Sequence, residues 1–184
     1  KVLGQREWMA ILWIAIFGGI LGTFFYTKAL GYINYINLSV VVLLQKLQPV
    51  FAIALSSIIL KEKLSKRFIS LAIVAILGGY LVTFGSASTL VWNDKAIIAS
   101  LLAILSAFCW GSSTVLGKHA LKILPYEAVT SLRLSLTALF ALLVLFATSE
   151  ATTVLYLTTI QWQRVIMIVF SSGAVALAIY YYGL

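Results

Sequence analysis

Residues Trp8 to Leu30 read WMAILWIAIFGGILGTFFYTKAL, and residues Trp162 to Leu184 read WQRVIMIVFSSGAVALAIYYYGL. Each stretch is continuously apolar, with Lys28 and Arg164 as its only charges. A helix of roughly 20 such residues crosses a hydrocarbon core of about 30 Å. A membrane strand would instead alternate apolar and polar residues over about 10 positions. The runs do not alternate, so the reading is transmembrane helix.

Four more runs of the same kind lie between these two. The spacing predicts spans over Trp8–Leu30, Leu38–Leu60, Phe68–Ser86, Ala96–Gly117 and Tyr126–Ala147, with a sixth starting near Arg164 and still running at Leu184. Composition agrees. Of 184 residues, 62% are hydrophobic and 10% charged, and the mean hydropathy is +1.08. A soluble domain carries roughly 25% charged residues. The expected fold class is therefore an all-α polytopic membrane protein with about six transmembrane helices. The net charge of +8 does not indicate nucleic acid, because the basic residues sit between apolar runs and form no stripe. Cys109 is the only cysteine and lies inside an apolar run, which gives neither a disulfide nor a metal site. The chain begins at Lys1 without Met and ends inside an apolar run. An end there leaves helix carbonyls in lipid, so a fragment of a longer protein is expected.

The two opening stretches are also related. Moved on by 154 positions (8 to 162), the first falls on the second, and Trp8 meets Trp162, Ile14 meets Ile168, Gly19 meets Gly173 and Tyr26 meets Tyr180. They lie five spans apart, an odd number, so equivalent helices cross in opposite directions. Inverted-topology repeats of this kind are typical of secondary transporters. Loop charges orient the bundle. One side receives Lys1, Arg6, Lys61, Lys63, Lys66, Arg67, Lys118 and Lys122, the other only Lys95 and Arg164. The richer side is expected to be cytoplasmic, and the protein to sit in a bacterial cytoplasmic (inner) membrane.

Particular motifs point to a family. Asn37 to Leu64, with Leu47, Pro49, Leu60 and Glu62, resembles the fourth helix of a repeat of the EamA-type drug/metabolite transporters. Phe68 to Phe84, with Gly78 and Gly79, is similar to the fifth. Cys109-Trp110-Gly111-Ser112-Ser113 through Lys118 looks like the opening helix of the next repeat. Pro125 through Arg133 is similar to its second helix, and Tyr180 to Leu184 to its third. The resemblance implies a ten-helix fold of two five-helix repeats, of which helices three to eight are present. Residues 1–86 would close the first repeat and residues 96–184 open the second. It also implies a transporter of small metabolites, amino-acid-like or other organic solutes, most often an exporter.

Lys46 is the leading candidate for substrate chemistry. It lies mid-span in Gln45-Lys46-Leu47-Gln48-Pro49. A charge at that depth costs about 2.5–3.5 kcal/mol even on a lenient scale. The outer end of the span is roughly 12 Å away at helical rise, too far for easy snorkelling. A polar cavity is the expected destination. Pro49 has no N–H to offer the Gln45 carbonyl, and irregular backbone at this depth is tolerated where it lines a cavity. On a continuous helix Ser39 and Ser57 share the Lys46 face. Arg133, Trp110 and Tyr180 complete the candidate pathway. Each also has an ordinary reading: snorkelling for Arg133, and packing or interface anchoring for the aromatics. Ala99, Ala103, Ala107 and Gly111 recur every four residues, a stripe that lets helices pack closely.

The carboxylates, Glu7, Glu62, Asp94, Glu127 and Glu150, all fall in loops or at span ends. His119 sits at a helix end. This leaves no acid/base constellation, which argues against the alternative of a polytopic membrane enzyme. A membrane assembly protein without transport activity would leave Lys46 and the repeat unexplained. The partners expected are a small-molecule substrate and the lipid bilayer, with no nucleic acid, metal or cofactor. Oligomeric state is not legible.

Overall fold

The computed structural model describes residues 4–61, 65–84, 93–148 and 156–184. Lys1, Glu62, Lys63, Leu64, Ser86 and Glu150, which entered the readings above, lie outside them. Every regular element among the described residues is helical, and the protein is an all-α polytopic membrane protein. Helix α1 spans Gln5–Leu30. The second span is two helices, α2 (Leu38–Gln45) and α3 (Gln48–Ile59). Then follow α4 (Lys66–Phe84), α5 (Asp94–Leu121), α6 (Tyr126–Ala147) and α7 (Thr159–Gly183).

Among the described residues, five helical stretches are long and apolar enough to cross a membrane: Gln5–Leu30, Leu38–Ile59, Asp94–Leu121, Tyr126–Ala147 and Thr159–Gly183. The expected third span is present as the 19-residue α4. Its apolar stretch among the described residues is shorter, Ile69–Gly78.

Local chemistry sets the boundaries. The Asn37 side chain accepts from the Ser39 N–H at 2.9 Å and starts α2. Such a cap stabilises a helix start by about 1 kcal/mol. Asn93 does the same for α5, accepting from the Ala96 N–H at 2.8 Å. That helix carries Asp94 in its first turn and Lys118 and His119 in its last, signs that suit the helix dipole. Just beyond α3, Lys61 takes a left-handed conformation (φ 54°), a common helix stop.

One boundary differs from the sequence reading. The sixth span begins at Thr159, not near Arg164, because Thr158 and Gln161 form a capping box. The Thr158 hydroxyl accepts from the Gln161 N–H at 3.3 Å, while the Gln161 side chain accepts from the Thr158 N–H at 2.8 Å. Two polar residues that read as loop are thus the helix start.

Helices α1 and α7 each contain a widened π turn, at Ile14–Leu21 and Val169–Val175. Carried forward by 154 positions (14 to 168, 21 to 175), the first covers the second to within one residue.

The chain forms two compact units, one of residues 21–115 and one of residues 1–20 with 116–184. In the 21–115 unit, Ala29, Val40, Val41, Ala96, Ala99 and Ala103 make a buried core. The expected small-residue stripe of α5 is thus a packing face, and Ala107 is buried with it. In the other unit, Ile14, Ala120, Val129 and Tyr181 form the core. There the Thr137 hydroxyl of α6 donates to the Ala15 carbonyl in the π turn of α1, at 3.2 Å. Gly19 leaves the room, since a side chain there would collide with Thr137.

Candidate functional site

The second span breaks where its sequence is most polar. Helix α2 stops at Gln45, and Lys46 and Leu47 form a tight turn with ψ near zero (−3° and −5°). Three-residue bonds replace the helical ladder, Leu47 N–H to the Leu44 carbonyl at 3.2 Å and Val50 N–H to the Leu47 carbonyl at 2.9 Å. Helix α3 restarts at Gln48 with Pro49 in its first turn. That is where a missing N–H costs least. Pro49 therefore stands in the first turn of a new helix, and the irregular backbone expected beside it is the Lys46–Leu47 turn.

The break has consequences for the candidate residues. Lys46 caps α2 and its side chain is exposed. Its ammonium makes no hydrogen bond or ion pair among the described residues. Gln45 and Gln48 flank the turn and are half-buried. The Gln45 Nε2 donates to Gln48 Oε1 at 3.3 Å, clipping the two half-helices together. Ser39 lies in the first turn of α2, exposed. Ser57 lies near the end of α3, its hydroxyl donating to the Ala54 carbonyl at 2.8 Å.

Helix α5 presses on the break. A side-chain carbon at Gly111 would stand 2.9 Å from the Gln48 carbonyl oxygen, 2.9 Å from Phe51 Cβ and 3.1 Å from the Ala52 nitrogen. Backbone meets backbone there because Gly111 has no side chain. Its neighbour Trp110 is half-buried and packs on Tyr26 of α1, ring centroids 5.5 Å apart. Phe108 meets Phe51 edge to face at 5.7 Å. Ser106 and Ser113 lie four and three residues from Trp110, on the same helix face. Both hydroxyls are buried and have no hydrogen-bond partner among the described residues. Gln45, Lys46, Gln48, Pro49, Tyr26 and Trp110 thus belong to one unit, in which Gly111 couples the break to the aromatic pair.

Arg133 and Tyr180 belong to the other unit. The Arg133 Nη1 donates to the Tyr181 hydroxyl at 2.9 Å. Its guanidinium carbon lies 5.6 Å from the Tyr181 ring centroid. Tyr181 is fully buried, with its ring against Gly117. Tyr180, the tyrosine singled out from sequence, is 38% exposed and touches Tyr181 edge-on. Sequence reasoning did not single out Tyr181, Thr137 or Gln48. Three consecutive tyrosines give no periodic signal to separate them, and Gln48 was overshadowed by its charged neighbour.

A family model described as the EamA-like transporter family matches residues 1–84 and 97–184. The chain belongs to the EamA-like transporter family. An EamA relative, "Riboflavin transporter ImpX" of Fusobacterium nucleatum subsp. nucleatum, is 38% identical over 185 aligned positions, which cover all of this chain. The chain spans 62% of that protein's length. No solved structure matches it. The resemblance drawn from Pro49, Gly111 and Arg133 is thus correct at the level of family.

Proposed function

We propose that this protein is a secondary transporter of a flavin, with riboflavin as first substrate, working by alternating access between two inverted repeats. The observation that carries the substrate is the 38% identity, along the whole chain, to a protein named as a riboflavin transporter. Family and relative are both named as transporters, which supports a role other than catalysis. Two features support the repeat. Family matches cover residues 1–84 and 97–184 in turn, close to the division at 86 and 96 drawn from the motifs. The π turns of α1 and α7 fall at equivalent positions. Residues 1–86 are then the end of one repeat and 96–184 the start of the next.

The broken second span, with Lys46, Gln45 and Pro49, supplies the substrate site. Discontinuous helices are a common way for transporters to present polar backbone and side chains at mid-membrane. Ser39 and Ser57, in the two halves of the same span, are further candidates within the 21–115 unit, and Arg133 and Tyr180 are candidates within the other. The membrane is the bacterial cytoplasmic membrane, with Lys122 inside and Asn93 outside, following the basic bias. Export is the direction the family resemblance implies.

The test is riboflavin flux in proteoliposomes of the full-length protein, loaded on either face and read by flavin fluorescence. Saturable flux above empty vesicles is the expected result, and loading on each face in turn reads the direction. Flux equal to empty vesicles, with the protein folded and inserted, overturns the substrate.

A further inference from the structure

We infer that the Gln45–Gln48 pair reads the imide edge of the substrate ring while Trp110, backed by Tyr26, stacks on its face; this rests on the flavin reading above. The argument begins with atoms left over at the break. Gln45 Nε2 donates to Gln48 Oε1 at 3.3 Å. A glutamine amide has one acceptor oxygen and one amino group with two donor hydrogens. The clip consumes one acceptor and one donor. It leaves the Gln45 Oε1 as acceptor and the Gln48 Nε2 as donor, and neither has another partner among the described residues. Both side chains are half-buried, so these groups are partly withdrawn from solvent. Partly buried amides left unmatched carry a cost that a matching ligand removes.

An acceptor beside a donor complements a group that presents a donor beside an acceptor. The isoalloxazine ring of riboflavin ends in such an edge, an N3–H flanked by two carbonyls. The N3–H donates to Gln45 Oε1, and one flanking carbonyl accepts from Gln48 Nε2. The rest of the ring is flat and apolar, which calls for an aromatic face. Two aromatic groups flank the break, the Phe51–Phe108 pair and Trp110, and Trp110 offers the larger flat surface. Its neighbour Gly111 brings α5 within contact of the Gln48 carbonyl, and Tyr26 supports the indole from α1 at 5.5 Å. Polar reading of one edge and stacking of one face are thus built from adjoining pieces of the same unit. The amide pair brackets the break. In an unbroken helix Gln45 and Gln48 would be ordinary neighbours one turn apart on one ladder. The tight turn at Lys46–Leu47 ends one half-helix at the first glutamine and starts the next at the second.

The test compares riboflavin, 3-methylriboflavin and lumiflavin as substrates of the full-length protein in proteoliposomes. Methylation at N3 removes the donor and adds bulk at the amide pair, whereas lumiflavin keeps the ring edge and drops the polyol chain. The expected result is about a tenfold or greater preference for riboflavin over its 3-methyl form, the worth of roughly one hydrogen bond to a partly buried group. Gln45→Leu and Gln48→Leu should each bring that ratio towards one, and Trp110→Ala should weaken all three flavins alike. A purely structural clip would lower flux without changing the ratio. Should riboflavin move but 3-methylriboflavin move equally well in the unmodified protein, this inference fails and the transporter reading stands, with no variant needed to decide. Should no flavin move, the substrate reading fails and takes this inference with it.

Discussion

Gly111→Ala is the smallest change that bears on both the fold and the site. The added carbon would lie 2.9 Å from the Gln48 carbonyl oxygen, 2.9 Å from Phe51 Cβ and 3.1 Å from the Ala52 nitrogen. Two of these are backbone atoms and the third is fixed to backbone, so none can swing aside as a long side chain does. Relief requires α5 and α3 to move apart by several tenths of an ångström. Forcing one carbon into a packed contact costs about 1–3 kcal/mol. Replacing a helical glycine by alanine returns about 0.5–1 kcal/mol through backbone entropy. The expected balance is a loss on the order of 1 kcal/mol, small in stability but placed at the break.

Gly78→Ala is the matched control. Nothing lies within 4 Å of a carbon added at Gly78, so only the helix gain remains, about 0.5–1 kcal/mol. The assay is equilibrium unfolding of the full-length protein in mild detergent, followed by tryptophan fluorescence, with flavin flux measured on the same preparations. Gly111→Ala should unfold earlier than the parent and transport more slowly, whereas Gly78→Ala should unfold at the same point or later. A Gly111→Ala protein as stable and as active as Gly78→Ala would refute the close approach of α5 to the break, and with it the coupling of Trp110 to the glutamine pair.

Three further outcomes are expected. Thr137→Val keeps the shape of α6 but loses the bond to the Ala15 carbonyl, and should cost about 0.5–1.5 kcal/mol in the same unfolding assay; an unchanged midpoint argues against the docking of α6 on the π turn. Tyr181→Phe retains the ring against Gly117 and removes the acceptor of Arg133, for a loss of about 1 kcal/mol after allowing for the half-exposed guanidinium, and a rise in stability would contradict that pairing. Lys46→Met should insert and fold normally yet transport poorly, because the ammonium has no structural partner to lose; full flux from this variant would remove Lys46 from the substrate site.

The family and the helix class were open to sequence reasoning because they rest on extended patterns. Apolar length, loop charge and the ordered motifs around Pro49, Trp110 and Arg133 survive a shift of boundary by a few residues. The span from Tyr126 to Ala147 even coincides with α6, since Pro125 fixes its start. What escaped depends on tertiary contact. Nothing in the string Tyr180-Tyr181-Tyr182 says which ring meets Arg133; that follows from how α6 and α7 pack, and it selects Tyr181. The start of α7 was misplaced although Thr158 and Gln161 stand in the capping pattern, because they lie in a polar stretch that reads equally as loop. At the break, the sequence pointed to irregular backbone beside Pro49 but not to its form. Proline in mid-helix and proline in a first turn are the same letter, and only the backbone at Lys46–Leu47 tells them apart.

The two π turns bear on the repeat more heavily than the identities that first suggested it. Membrane helices share composition, so a few matched letters between two of them carry little weight. The π turns read IAIFGGIL and VFSSGAV, and local sequence does not force the same widening on both. A π turn is rare and is found mostly as a single bulge at functional positions. One in each of two helices, offset to within one residue by the 154 positions that align Trp8 with Trp162 and Tyr26 with Tyr180, is what the proposed repeat predicts. In α1 the widened turn offers the Ala15 carbonyl to Thr137 of a neighbouring helix, so its irregular backbone is used for docking and not merely tolerated. Under an inverted repeat the same device faces opposite sides of the membrane in the two copies. That is the symmetry an alternating-access transporter needs, because a feature serving one open state must have a counterpart that serves the other.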